Sequence, residues 1–205
     1  MVSGIDLRVL TDRSIRVSKM PIFGRKKDKE YQEAVKLLAE DRPKEAAKKL
    51  RSFLENHPQD INGLVTLAVA LIHAQEEPDK DSRETQEAFS LLDQASELKP
   101  KDVVPVFNKA VCLRDLGMLE EALFQFDRAL EIEDRLTLAI LHKAEINYEL
   151  ERWQEAVELA RLALIRDPGI EGALTWVPEA MKEAGMLDEN GKVINAPWED
   201  ATPDE

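Results

Sequence analysis

The sequence is short of the residues that most often staple, break or mark a fold. It holds one cysteine, Cys112, in 205 residues, so it has no internal disulfide framework, and a reducing compartment suits it. Aromatics make up only 5%, beside 8 glycines and 10 prolines, which argues against a many-stranded β architecture with frequent turns. No apolar run approaches the ~18 residues that a bilayer-spanning helix needs. The opening stretch, MVSGIDLRVLTDRSIRVSKM, has Asp and Arg scattered among its apolar residues, unlike the apolar region of a signal peptide. These absences predict a cytoplasmic protein without membrane insertion.

What is present is charge and aliphatic side chain. Hydrophobic residues make up 43% and charged residues 34%, a balance that suits a helix-rich chain with a core. The net charge of −13 is uneven: residues 1–30 hold eight Lys/Arg against four Asp/Glu, a net of +4, so the remainder carries −17. An acidic body of that kind repels phosphate backbones, so no nucleic-acid partner is expected. The basic run GRKKDK at residues 24–29 is more often a solvated leader than an anion contact.

The chain is internally periodic. Ala110 and Ala144, Ala122 and Ala156, and Ala129 and Ala163 are each 34 residues apart, as are Ala34 and Ala68. Ala68 and Ala110 are 42 apart, which places an eight-residue insertion in the polar stretch QEEPDKDSRETQ, residues 75–86. Four windows follow, 27–60, 61–102, 103–136 and 137–170, with Pro58, Pro100 and Pro168 at equivalent helix ends. Each window reads as two amphipathic helices joined by a short turn; in the third, VPVFNKAVCLRDL is closed by Gly117 and followed by LEEALFQFDRALEI. Antiparallel helices so joined cross at about 8–10 Å, and only small side chains fit where the backbones come nearest. Ala110 and Ala122 are expected to face each other there, with Ala129 against the next repeat.

This period and these residues resemble the tetratricopeptide repeat (TPR), a 34-residue helix–turn–helix unit with a small residue in the first helix and A-x3-F in the second. Ala122 and Phe126 match the second-helix motif, Ala46 with Leu50 and Ala88 with Leu92 match it conservatively, and Ala160 replaces the Phe in the fourth window. The aromatic places of the first helix are filled by Val106 and Leu113 in the third window and by Ile140 and Asn147 in the fourth. The resemblance implies an all-α, right-handed superhelical solenoid of helix pairs, closed by a capping helix over residues 171–187. Pro178 in that helix predicts a kink or a late start. Residues 1–26 read as a leader, in which Met20 offers a second start, and residues 188–205 as an acidic irregular tail. Trp198 in that tail is either pinned back onto the repeats or a short docking motif.

No catalytic pattern is legible. His57, His73 and His142 stand at unmatched offsets without ligand spacing, so no metal is expected. No P-loop, H-E-x-x-H or G-x-S-x-G motif occurs, and no cofactor is implied. Cys112, between Val111 and Leu113, reads as a structural thiol.

The resemblance points instead to the first helices, which in such proteins line a concave groove for a peptide. The places that carry over are Tyr31 and Val35, then Val65, Val69, Ile72 and His73, then Phe107, Val111 and Arg114, then Leu141, Glu145 and Tyr148. Most are apolar, and an exposed apolar stripe usually marks a binding surface. The same residues would equally serve as packing against the neighbouring repeat. One TPR subclass grips a terminal carboxylate with Lys, Asn and Arg. Here Tyr31, Val35 and Asn108 hold the corresponding places, which disfavours that ligand and leaves an amphipathic helix. The chain is thus expected to be a non-enzymatic adaptor for a protein or peptide partner. The alternative is a homo-oligomeric scaffold whose groove is filled by its own or a neighbour's leader, with Ile15, Val17, Ile22 and Phe23 among its apolar residues.

Overall fold

A computed structural model describes residues 29–194; residues 1–28, with the leader, and 195–205, the end of the tail with Trp198, lie outside them. The chain is all-α and divides into two compact units, Met1–Leu116 and Gly117–Glu205. In the first unit the helices are α1 (Lys29–Ala39), α2 (Pro43–Asn56), α3 (Ile61–His73), α4 (Arg83–Leu98) and α5 (Val103–Asp115). The second contains α6 (Leu119–Ile132), α7 (Thr137–Glu149) and α8 (Trp153–Arg166), then a 3-10 helix (Pro168–Ala173) and α9 (Val177–Glu183). Within each unit every α-helix up to α8 packs on the next one along the chain, and the 3-10 helix and α9 both pack on α8. The only β pairing among the described residues is the isolated bridge Leu187–Val193.

Small residues mark the packing positions. Ala34, Ala68, Ala110 and Ala144 on first helices, and Ala46, Ala88, Ala122 and Ala156 on second helices, are all fully buried. The place of the motif Phe is buried in every pair, filled by Leu50, Leu92, Phe126 and Ala160. Asn147, which occupies an aromatic place, is also buried, and its Nδ2 donates to the Lys143 carbonyl one turn back at 2.8 Å. That bond removes most of the cost of hiding an amide in the core.

The turns follow a rule that composition alone does not reveal. Three within-pair turns are three residues long, 40–42, 116–118 and 150–152, and each places its middle residue at positive φ: Asp41 (57°), Gly117 (72°) and Glu151 (58°). Glycine adopts that conformation without strain, whereas a Cβ makes it costly. The fourth within-pair connection, residues 74–82, is longer because α4 belongs to the window with the insertion. It is tied down by polar side chains: Ser82 Oγ donates to Gln75 Oε1 (2.8 Å) and caps α4 by accepting from Thr85 N (3.0 Å). The buried Thr85 hydroxyl donates to the Asp79 carbonyl at 2.7 Å.

Ion pairs repeat with the fold. Lys109 on α5 pairs with Asp93 on α4 at 2.6 Å, and Lys143 on α7 pairs with Asp127 on α6. Both lysines and both aspartates are 34 residues apart. These pairs tie a second helix to the following first helix. Being partly exposed, each contributes less than about 1 kcal/mol.

The C-terminal end starts as a 3-10 turn and becomes α-helical only at Val177, with Pro178 in the first turn. Proline is tolerated there because the first amides of a helix have no partner to lose. The late start, not a kink, is what Pro178 produces.

Candidate interaction surface

In the first unit the row begins with Tyr31 on α1, whose ring lies 5.6 Å from Phe53 and whose hydroxyl is 3.1 Å from Thr66 Oγ1 on α3. Val35 is half-buried against the same core. On α3, Val65, Val69 and Ile72 are at most 5% exposed and belong to that core. On α5, Phe107 and Val111 are likewise buried. The apolar row therefore exists but is not an open stripe: apart from Val35, its aliphatic and aromatic members in this unit are withdrawn from water.

Its polar end is a cluster of charges. His73 Nε2 lies 3.6 Å from Asp115 Oδ2, and Arg114 Nη2 lies 3.3 Å from Asp115 Oδ1. The Arg114 and Asp115 side chains are both nearly buried, where charges are retained only in company. His73 also lines an open cleft of about 410 Å³ with Asp41, Arg42, Lys44, Glu45 and Glu76. Its cations are already matched: Arg42 grips Glu45 at 2.7 Å and Lys44 reaches Glu76 at 3.5 Å.

In the second unit Leu141 is buried, while Glu145 is half-buried and lies 2.9 Å from His142 Nδ1. Tyr148 does not line an open surface, because the C-terminal elements take it up. Its hydroxyl donates to Glu179 Oε2 on α9 at 2.8 Å, and its ring lies 4.8 Å from Trp176 and 5.3 Å from Trp153. Trp176 Nε1 is buried without a hydrogen-bond partner among the described residues. Sequence reasoning missed Trp176 and Glu179 as neighbours of Tyr148. The signal available was two tryptophans and a tyrosine, out of few aromatics, falling within 29 residues.

Both tyrosines ionise late. Burial, then the acceptor carboxylate of Glu179, pushes Tyr148 up to about 12, and burial also raises Tyr31. The folded chain favours the neutral phenol, so this contribution to stability is complete below the ordinary value near 10 and is lost as pH rises from there towards 12. An alkaline absorbance titration should show both tyrosinates forming above the ordinary value near pH ~10, that of Tyr148 towards 12. Two tyrosinates formed at the ordinary value would contradict the burial of these rings.

Burial raises the Cys112 thiol, which disfavours the thiolate. Among the described residues no group of three or more His, Cys, Asp or Glu is placed to hold a metal ion. No described helix is long and apolar enough to cross a membrane.

Comparison with known proteins is decisive for the fold. The chain is similar to the crystal structure of TTC0263, a thermophilic TPR protein of Thermus thermophilus, with a TM-score of 0.65 and 19% identity over 75% of this chain and 80% of that one. The fold is TPR-like. The TPR protein MamA is similar at a TM-score of 0.58 and 13% identity, over 74% of this chain and 84% of that chain. Yeast Tom70, also a TPR protein, gives 0.56 and 18%, with 86% of this chain matching 40% of its length. No protein-family model and no curated protein matches the sequence.

Proposed function

We propose that this TPR-like chain is a non-enzymatic adaptor that binds a peptide or an amphipathic helix along the first helices of its repeats, in a cytoplasmic setting. The observation that carries the reading is the row itself: Tyr31, Val35, Val65, Val69, Ile72, Phe107 and Val111 recur at one register on α1, α3 and α5, beside places already supplied with packing alanines. His73 and Arg114 end the row in the first unit. In the second, Leu141, Glu145 and Tyr148 hold the corresponding places. An apolar row ended by charge matches an amphipathic helix, whose apolar side chains recur every three to four residues. The strongly acidic body favours a partner with basic flanks.

Peptide-display selection on the full-length protein, followed by titration of the enriched peptides, tests this. Val35→Arg is the informative variant, because Val35 is the half-exposed apolar member of the row in the first unit. It should weaken binding at least tenfold, about 1.4 kcal/mol, with only a small drop in melting temperature, since Val35 is only partly packed on the core. Unchanged binding would remove the row from the interaction surface.

A further inference from the structure

Helix α3 is apolar on every side, and residues 63–72 form ten consecutive buried positions. Its packing neighbours among the described residues are α1, α2, α4 and α5. Gly63 marks the side facing α2, since a Cβ there would stand 2.8 Å from Phe53 and 2.9 Å from Leu54. At about 100° per residue, Val65, Val69 and Ile72 lie roughly 120–180° around the helix from Gly63. Thr66, which meets Tyr31 of α1, is about 60–120° from each of them. The three residues therefore share the face turned away from α2 and flanking the α1 contact, yet Val65 and Val69 are only 5% exposed.

We propose that the chain's own leader covers this face, with Ile15, Val17, Ile22 and Phe23 laid along Val65, Val69 and Ile72, so that a partner peptide must displace it. This rests on the groove reading above and adds the regulation of that same site. Three observations single out this occupant. The leader, residues 1–26, stands two residues before α1 begins at Lys29 and close in sequence to Tyr31, the first member of the row. Adjacent packed helices lie about 8–10 Å apart, whereas six extended residues from Phe23 to Lys29 could span about 20 Å, so the chain is long enough to bring Ile22 and Phe23 to α3. In Ile15-Arg-Val17 the apolar and cationic residues alternate, so an extended stretch there would present its two apolar side chains to the row and Arg16 outward. The leader's excess of Lys and Arg also complements the acidic remainder.

The test is thiol labelling in the full-length chain. Val69→Cys is compared with Val69→Cys carrying Ile22→Asp and Phe23→Asp, with labelling located by peptide mass so that buried Cys112 serves as the internal control. Charging the leader should speed labelling at position 69 at least tenfold while Cys112 labelling and the far-UV helix signal stay unchanged. Equal rates at position 69 would overturn the proposal, leaving the face covered by helices alone. A rate that varies with protein concentration would also overturn it, because the cover would then come from a second copy. If a cysteine at position 69 disturbs folding, hydrogen exchange of residues 63–72 decides instead, with and without the two Asp substitutions in the otherwise native sequence. Faster exchange supports the leader, and equal exchange sinks it. No partner is present in either measurement. The groove reading fails separately, when a selected peptide binds the Val35→Arg variant as tightly as the native chain.

Discussion

Phe126→Ala is expected to lower the stability of the second unit by about 3–5 kcal/mol, the usual cost of emptying a large aromatic site in a packed core. Phe126 is fully buried on α6, and its ring centroid lies 5.4 Å from that of His142 on α7. Removing the ring leaves α6 and α7 facing a void that neither helix backbone can close, since Ala122 and Ala129 on the same face are already as small as a helix favours. For a unit of this size the change corresponds to a melting temperature lower by more than about 10 °C. Phe124, two residues earlier on the same helix, is 62% exposed. Phe124→Ala should therefore stay within about 0.5 kcal/mol of the native chain. Thermal melts of the two variants decide the matter: equal losses would mean that α6 presents a different face to the core.

The second large effect is expected at Gly63. Gly→Ala gains up to about 1 kcal/mol from helix propensity, less at Gly63, which stands in the first turn of α3 with its amide capped by Asp60. Here the new Cβ would meet Phe53 at 2.8 Å and Leu54 at 2.9 Å. The Phe53 ring cannot simply swing aside, being buried, stacked on His57 at 4.5 Å and tilted against Tyr31 at 5.6 Å. Overpacking of this kind costs about 1–3 kcal/mol, enough to reverse the propensity gain. Gly63→Val, which adds branching at the same point, should lose more than Gly63→Ala. Denaturant melts of both variants test the sign; a stabilised Gly63→Ala would show that α2 and α3 can separate there without penalty.

The contrast between these two sites shows what was legible beforehand. Phe126 could be placed in the core from sequence because it stands four residues after Ala122, an alanine that recurs with the 34-residue period at Ala88 and Ala156, and periodicity records which side of a helix faces its partner. Gly63 belongs to no such pattern, and its role depends on how closely α2 approaches α3. Likewise Gly117 marks a turn in sequence, whereas Asp41 and Glu151 carry the same positive φ without a residue type that announces it. The window containing residues 75–86 was recognisable as irregular from its polarity, but not its organisation around buried Thr85.

The interaction surface divides in the same way. Sequence placed Val65, Val69, Phe107 and Val111 at one register, and the folded chain shows them buried. Tyr148 was assigned to the same row, yet the elements that follow α8 cover it with Trp176 and Glu179. Sequence alone determined the helical elements, their period and the small residues that are buried, because local helical register and steric size are written in residue order. Only the tertiary structure decided which apolar faces stay open, because an apolar face lowers its free energy against whichever segment comes to cover it, and that segment can lie anywhere in the chain.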